Sequence, residues 1–217
     1  MPGDFSYRGG ASAKPEYDQS VLLLEDCEGS NKWTAAGTGS DFVNLFDASW
    51  CYFGTKGWKL RTRATTPAAD DQVLVSRVLT YPTVRRLIVR GRVNFSDVSL
   101  VKSFAVQFVI YNGSAPYQAV LWINPNTPTV AYMNSGGTYT TIPSLAFLPT
   151  DNSWYLFEIA MDLINWQYDY IRFGGTEFDM AGIPLYTTSS TAERAVYLGF
   201  LVIAIGAAQA EVGMDSI

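Results

Sequence analysis

Of the residue types that carry acid–base or nucleophilic chemistry, histidine is absent from all 217 positions. That removes the commonest general base and the commonest zinc ligand. A serine or cysteine nucleophile would lack its usual activator, and no glycine-rich phosphate loop leads into a helix. The best-placed carboxylate pair is Glu158 and Asp162, in the run WYLFEIAMD from Trp154 to Asp162. On an extended strand the two share a face, but four residues at about 3.3 Å each set them roughly 13 Å apart. A glycosidase pair needs roughly 5 to 9.5 Å, so these two cannot form one unaided. No catalytic residues are expected, and the chain reads as a non-enzyme.

Two further sets of side chains have binding chemistry. Trp122, Tyr132, Tyr139, Trp166, Tyr168 and Tyr170 offer flat faces of the kind that stack on sugar rings, and alternation would put Trp166, Tyr168 and Tyr170 on one face of a strand. The same period describes core or interface aromatics equally well. Glu25, Asp26, Glu28 and Asp215 are hard oxygen ligands that would form a structural Ca2+ site if the first and last strands meet, whereas isolated turn acids account for them as well. No other cofactor is expected.

The elements that must position these residues are strands. Tyr155, Phe157, Ile159 and Met161 alternate with Leu156, Glu158, Ala160 and Asp162, the pattern of a strand with one face in a core, and the run from Trp166 to Phe173 alternates again after a short link. Further strand-like runs cover Val21–Glu25, Trp58–Arg63, Val73–Leu79, Arg86–Phe95, Phe104–Tyr111, Tyr117–Ile123, Thr129–Met133 and Arg194–Ile205. Between them lie turn sequences such as Asn112-Gly113-Ser114 and Asn124-Pro125-Asn126-Thr127-Pro128, where glycine and proline end strands. Gln209–Ile217 is expected to return beside the first strand and close an edge. No amphipathic helix is evident. The fold class is therefore all-β, an antiparallel two-sheet jelly-roll sandwich over residues 20–217, preceded by an extended or flexible N-terminal arm over residues 1–19 that is rich in Gly, Ser, Ala and Pro.

The net charge of −5 argues against nucleic acid as a partner, and the longest uncharged apolar stretch, Ala195 to Ala208, is too short to span a bilayer as a helix. No secretory signal opens the sequence. Cys27 and Cys51 carry no metal motif and either pair or remain two buried thiols. Ten of the fifteen Lys and Arg fall between Lys56 and Lys102. Arg86, Arg90 and Arg92 alternate with apolar residues, as do Arg61 and Arg63. If the two strands are neighbours, these arginines form a ladder that needs an acidic partner; otherwise they merely occupy solvent faces.

The segment DQSVLLLEDCEGSNKW, Asp18 to Trp33, resembles the opening of laminin-G-like and concanavalin A-like sandwich domains, in which an apolar strand leads into an acidic turn and a Trp. The resemblance continues through GTKGWKLRT at Gly54, the WYLFEIAMD strand, DYIRFGGTEF at Asp169, VYLGF at Val196 and the closing EVGMDSI, which is similar to the family's terminal Asp-Asp-Ile. Cys27 stands where Phe is usual and Ser216 where a second Asp is usual, which weakens the family's calcium site here. Modules of this kind with an extended arm and no signal peptide resemble domains of phage structural proteins, used in capsid decoration or in fibres. The resemblance implies a virion structural protein, made in the host cytoplasm and acting through contacts with itself and with other virion proteins. Arg61, Arg63, Arg86, Arg90 and Arg92 would form the interface. The alternative is a carbohydrate-binding module that takes a surface glycan on Trp122, Tyr132, Trp166, Tyr168 and Tyr170.

Overall fold

The computed structural model describes residues 25–143, 149–215 and 217. The expected arm and most of the expected Val21–Glu25 strand lie outside them.

Fifteen strands are described: β1 (Thr34–Gly37), β2 (Val43–Asp47), β3 (Gly57–Arg61), β4 (Gln72–Thr80), β5 (Arg86–Phe95), β6 (Val101–Tyr111), β7 (Pro116–Asn124), β8 (Thr129–Met133), β9 (Tyr139–Thr141), β10 (Trp154–Asp162), β11 (Gln167–Phe173), β12 (Thr176–Asp179), β13 (Tyr186–Thr187), β14 (Ala195–Ala204) and β15 (Glu211–Asp215). They form two antiparallel sheets. The eight-stranded sheet runs β1-β4-β14-β6-β7-β8-β9, with β13 also on β7, and the seven-stranded sheet runs β12-β11-β10-β5-β15-β3-β2. The sandwich expected from the alternation is the fold observed.

Its core comes from the inward positions of both sheets. Phe104, Phe108, Leu121 and Phe200 from one face Trp58, Phe95, Phe157 and Phe173 from the other, all fully buried. Phe200 packs within 5.5–6.3 Å of the rings of Trp33, Trp58, Phe104 and Phe157, tying the two layers together. Burial on this scale removes most of the apolar surface from water at roughly 25 cal/mol per Å². Glu25, the first described residue, and Ile217 exchange backbone hydrogen bonds of 2.7 and 3.1 Å.

Two local features decide where side chains point. Between β10 and β11 the register slips after Ala160, so Ala160 faces Tyr170 while Met161 faces Tyr168. Asp169 is the extra residue of a β-bulge, and a bulge reverses the alternation on its strand. Along one edge of β7, β8 pairs with Leu121–Asn124 and β13 with Tyr117–Gln118, leaving a gap. The Tyr168 hydroxyl from the opposite sheet fills it, accepting from Val120 N at 3.1 Å and donating to Met133 O at 2.9 Å.

Candidate functional site

The outward positions of the eight-stranded sheet include four adjacent cross-strand rows. Trp122, Ala105, Leu201 and Leu74 follow one another across β7, β6, β14 and β4. Val120, Gln107, Gly199 and Ser76 form the next row, then Gln118, Val109, Tyr197 and Val78, then Pro116, Tyr111, Ala195 and Thr80. None of the sixteen is charged. Aromatic rings stand on this face in groups. Trp122 lies 4.6 Å from Tyr139 on the edge strand β9, and Tyr111 lies 5.4 Å from Tyr197. Tyr186 of β13 pairs with Gln118 and leans over Gly137, where any Cβ would meet its ring at 2.8 Å. Between the groups sit small residues, Ala105, Gly199 and Ala131, buried to the backbone. The indole N–H of Trp122 donates to Asn124 Oδ1 at 2.8 Å, which fixes the ring's orientation. Partial burial raises the Tyr139 phenol above its ordinary pKa, so it is a neutral hydroxyl near pH 7.

The structure disperses the other aromatics of the expected glycan row. Tyr168 is fully buried and points inward, its hydroxyl held well above the ordinary pKa by burial. Tyr132 also packs on the core, 5.6 Å from the Tyr168 ring. Trp166 belongs to the turn before β11, has φ of 53°, and stacks on Tyr117 at 4.0 Å. Tyr170 faces outward from the other sheet, within 5.1 Å of the Arg86 guanidinium and 5.6 Å of that of Arg172. The expected shared face of Trp166, Tyr168 and Tyr170 is therefore corrected. The bulge at Asp169 turns Tyr170 outward while Tyr168 remains inward. Of the five, only Trp122 stands on the uncharged face.

The arginine ladder is corrected as well. β3 and β5 are not neighbours, because β15 lies between them and sets Glu211 opposite Arg61 and Asp215 opposite Arg92. The outer face of the seven-stranded sheet pairs its charges internally. Glu158, almost wholly buried, is held by Arg90 at 2.9 Å and Arg172 at 2.8 Å, and Arg172 also binds Glu177. Arg86 pairs with Asp169, Arg63 beyond the end of β3 pairs with Asp71 at 2.6 Å, and Lys59 pairs with Glu211 at 3.1 Å. Arg92 lies over the Tyr52 ring at 4.1 Å. Apart from Arg61, whose buried Nε has no hydrogen-bond partner among the described residues, these cations already have acidic or aromatic partners within the chain.

The four acids expected around Ca2+ are engaged by donors. Glu25 accepts from Cys27 N at 3.3 Å and from Trp33 Nε1 at 3.0 Å, and Asp26 accepts from Glu28 N at 3.2 Å. Glu28 accepts from Thr55 N at 2.5 Å and Lys56 N at 3.1 Å, and Asp215 from Tyr52 N at 2.7 Å and Phe53 N at 2.8 Å. Among the described residues no cluster of three or more His, Cys, Asp or Glu is placed to hold a metal ion. Cys27 and Cys51 are both unpaired, and Cys27 is fully buried with its thiol pushed up by burial and by Glu25 and Asp215.

Sequence reasoning found Trp122 and Tyr139 but missed Tyr111, Tyr186 and Tyr197. They come from three different strands, and only strand pairing assembles them.

No protein-family model matches the chain, and no curated protein matches it. Solved structures similar to it include the endo-β-1,4-glucuronan lyase from the fungus Trichoderma reesei, at 13% identity over 91% of this chain and 94% of that one, TM-score 0.57. The cellulose-induced protein Cip1 is similar at 14% identity over 89% and 94%, TM-score 0.54. Alginate lyase Aly36B, as a mutant in complex with alginate trisaccharide, is similar at 10% identity over 89% and 95%, TM-score 0.53. At such identities the likeness is one of fold, and it makes this chain a β-sandwich of the jelly-roll, concanavalin A-like kind.

Proposed function

We propose that the domain binds a neutral polysaccharide across the outer face of its eight-stranded sheet and does not cleave it. The observation that carries this is the four uncharged rows, crossed by Trp122, Tyr139, Tyr186, Tyr111 and Tyr197. Aromatic rings stack on the C–H faces of sugars, while Gln107, Gln118 and the tyrosine hydroxyls supply both donors and acceptors for sugar hydroxyls. A face without cations gives nothing to uronates or phosphates, and one without carboxylates gives no general acid or base in the usual pKa range. The rows offer only tyrosine hydroxyls as titratable groups. The similar structures of a glucuronan lyase and of an alginate lyase with its trisaccharide add support for a saccharide ligand as a class; both of those saccharides are uronates, and the choice of a neutral one rests on the uncharged rows alone.

Affinity electrophoresis through hydroxyethylcellulose, barley β-glucan, galactomannan and alginate tests the reading. Retardation is expected in at least one neutral gel and not in alginate, with Trp122→Ala losing roughly tenfold in affinity, about 1.4 kcal/mol. Equal retardation of wild type and variant in every gel sinks the proposal.

A second reading, a contact between copies of the chain or with other subunits of a particle, is favoured by Val78 on the same face, 58% exposed beside Tyr197. Light scattering of the whole chain and of a version lacking residues 1–19 separates the two. A monomer that binds a neutral gel supports the glycan reading. An oligomer dispersed by Val78→Asp supports the subunit contact.

A further inference from the structure

The opposite side of the molecule carries a cleft of about 430 Å³ lined by Ser49, Trp50, Asn94, Ser96, Asn152, Trp154 and Glu211. That size falls within the roughly 300–1,000 Å³ of small-molecule sites. It exists because the loop after β2 folds back over the sheet. Gly213 and Gly57 leave the room: a Cβ at Gly213 would sit 2.1 Å from the Trp50 ring, and one at Gly57 would sit 1.1 Å from the Trp50 carbonyl oxygen. Trp50 thereby lies on β15 as one wall. Register places Asn94 opposite both Gly213 and Trp154, so Asn94 forms the floor between Trp50 and the second wall, Trp154. Tyr52 backs Trp154 at 5.7 Å, and Arg92 over Tyr52 holds that side in place.

The polar lining mixes donors, the amides of Asn94 and Asn152 and the two indoles, with acceptors. Asn94 is 4% exposed, and its side-chain oxygen has no hydrogen-bond partner among the described residues, a state that normally costs about 1–3 kcal/mol. The Ser49 hydroxyl donates to Asp47 at 2.6 Å and that of Ser96 to the Glu211 carbonyl at 3.1 Å, which leaves each oxygen able to accept. Glu211 adds a carboxylate whose charge Lys59 balances at 3.1 Å. A ligand that matches such a lining brings hydroxyls that both donate and accept, no negative charge and a flat apolar face for an indole. A neutral sugar has all three.

We infer that this cleft is a second carbohydrate site, for a single neutral sugar unit, separate from the extended face on the other sheet. The Asn94 amide bonds one sugar hydroxyl, Trp154 and Trp50 flank the ring, and Glu211 accepts from a second hydroxyl.

The test is a titration of the whole chain with methyl β-glucoside, methyl β-galactoside, methyl α-mannoside and N-acetylglucosamine at tens of millimolar, followed by the indole N–H resonances. At least one sugar is expected to shift the resonances of Trp50 and Trp154, with affinity falling at least tenfold in Trp154→Ala and in Asn94→Ala and unchanged in Trp122→Ala. Asn94→Ala removes a buried oxygen that makes no hydrogen bond, so its melting temperature is expected not to fall, which separates lost binding from lost folding. No shift with any of the four sugars overturns the inference, as does binding that survives Asn94→Ala or disappears in Trp122→Ala. Failure of the extended face to bind polysaccharide leaves these titrations unaffected, so the two proposals fall separately.

Discussion

Tyr168 shows how a single hydroxyl can stand in for missing main chain. Its ring belongs to one sheet, but its oxygen completes the hydrogen bonding of the other, between the ends of β8 and β13. Tyr168→Phe keeps the ring and orphans a backbone N–H and a C=O in a buried place, so a loss of about 2 kcal/mol is expected in urea unfolding. An unchanged midpoint would show that water takes the vacant position. The turn carboxylates make a second residue-level prediction. Hydrogen bonds from Thr55 hold Glu28 below the ordinary carboxylate range, as those from Thr65 do Asp41 and those from Ser49 do Asp47. Because the folded values lie below the unfolded ones, the unfolded chain binds more protons as the pH falls. The stabilisation is complete above about pH 5 and is lost as the pH drops below about 4, through the folded values. Melting temperature by circular dichroism is expected to be flat from neutral pH to about 5 and to fall steeply below about 4. A curve level to pH 2 would contradict these assignments.

At the scale of elements, the loop from Ala48 to Lys56 depends on what it lies against. Gly213→Ala drives a methyl into the Trp50 ring, and overpacking of this kind costs about 1–3 kcal/mol. The expected result is a lowered melting temperature together with loss of the Trp50 indole resonance from its buried position; a variant with both intact would mean that the loop is not held by this contact. Long strands were legible in the sequence for a physical reason. β5 and β8 end where expected, at Arg86–Phe95 and Thr129–Met133, because each alternates against a core and stops at a proline or turn. β1, β2, β9, β12 and β13 were not legible, since they are short and mostly exposed and owe their conformation to a neighbour rather than to their own pattern. The bulge at Asp169 was equally hidden: nothing in Gln167-Tyr168-Asp169-Tyr170 announces an extra residue, and one slip moves Tyr170 to the far side of its sheet. Of the candidate site, Trp122 and Tyr139 could be named from residue type. The cleft could not, because it is made by a loop meeting a glycine 157 or more positions away in the chain.

The whole molecule divides its polarity between two faces. The outer side of the seven-stranded sheet holds a lattice of paired charges, while the opposite side presents neutral amides, hydroxyls and rings. A net charge of −5 keeps acidic polymers at a distance without hindering a neutral one. Among the described residues both sheets end in short strands, β1 and β9 in one and β12 and β2 in the other, the longest with five residues, which limits edge-to-edge association there. β15 is different. It is the last strand in chain order, yet it sits between β5 and β3, near the middle of its sheet. During synthesis, residues 57–61 and 86–95 therefore leave the ribosome long before the strand that joins them, and each must wait with an open edge. The sandwich cannot close progressively from its N-terminal side, and the nascent chain is at its most vulnerable to aggregation in the interval before Glu211–Asp215 arrive.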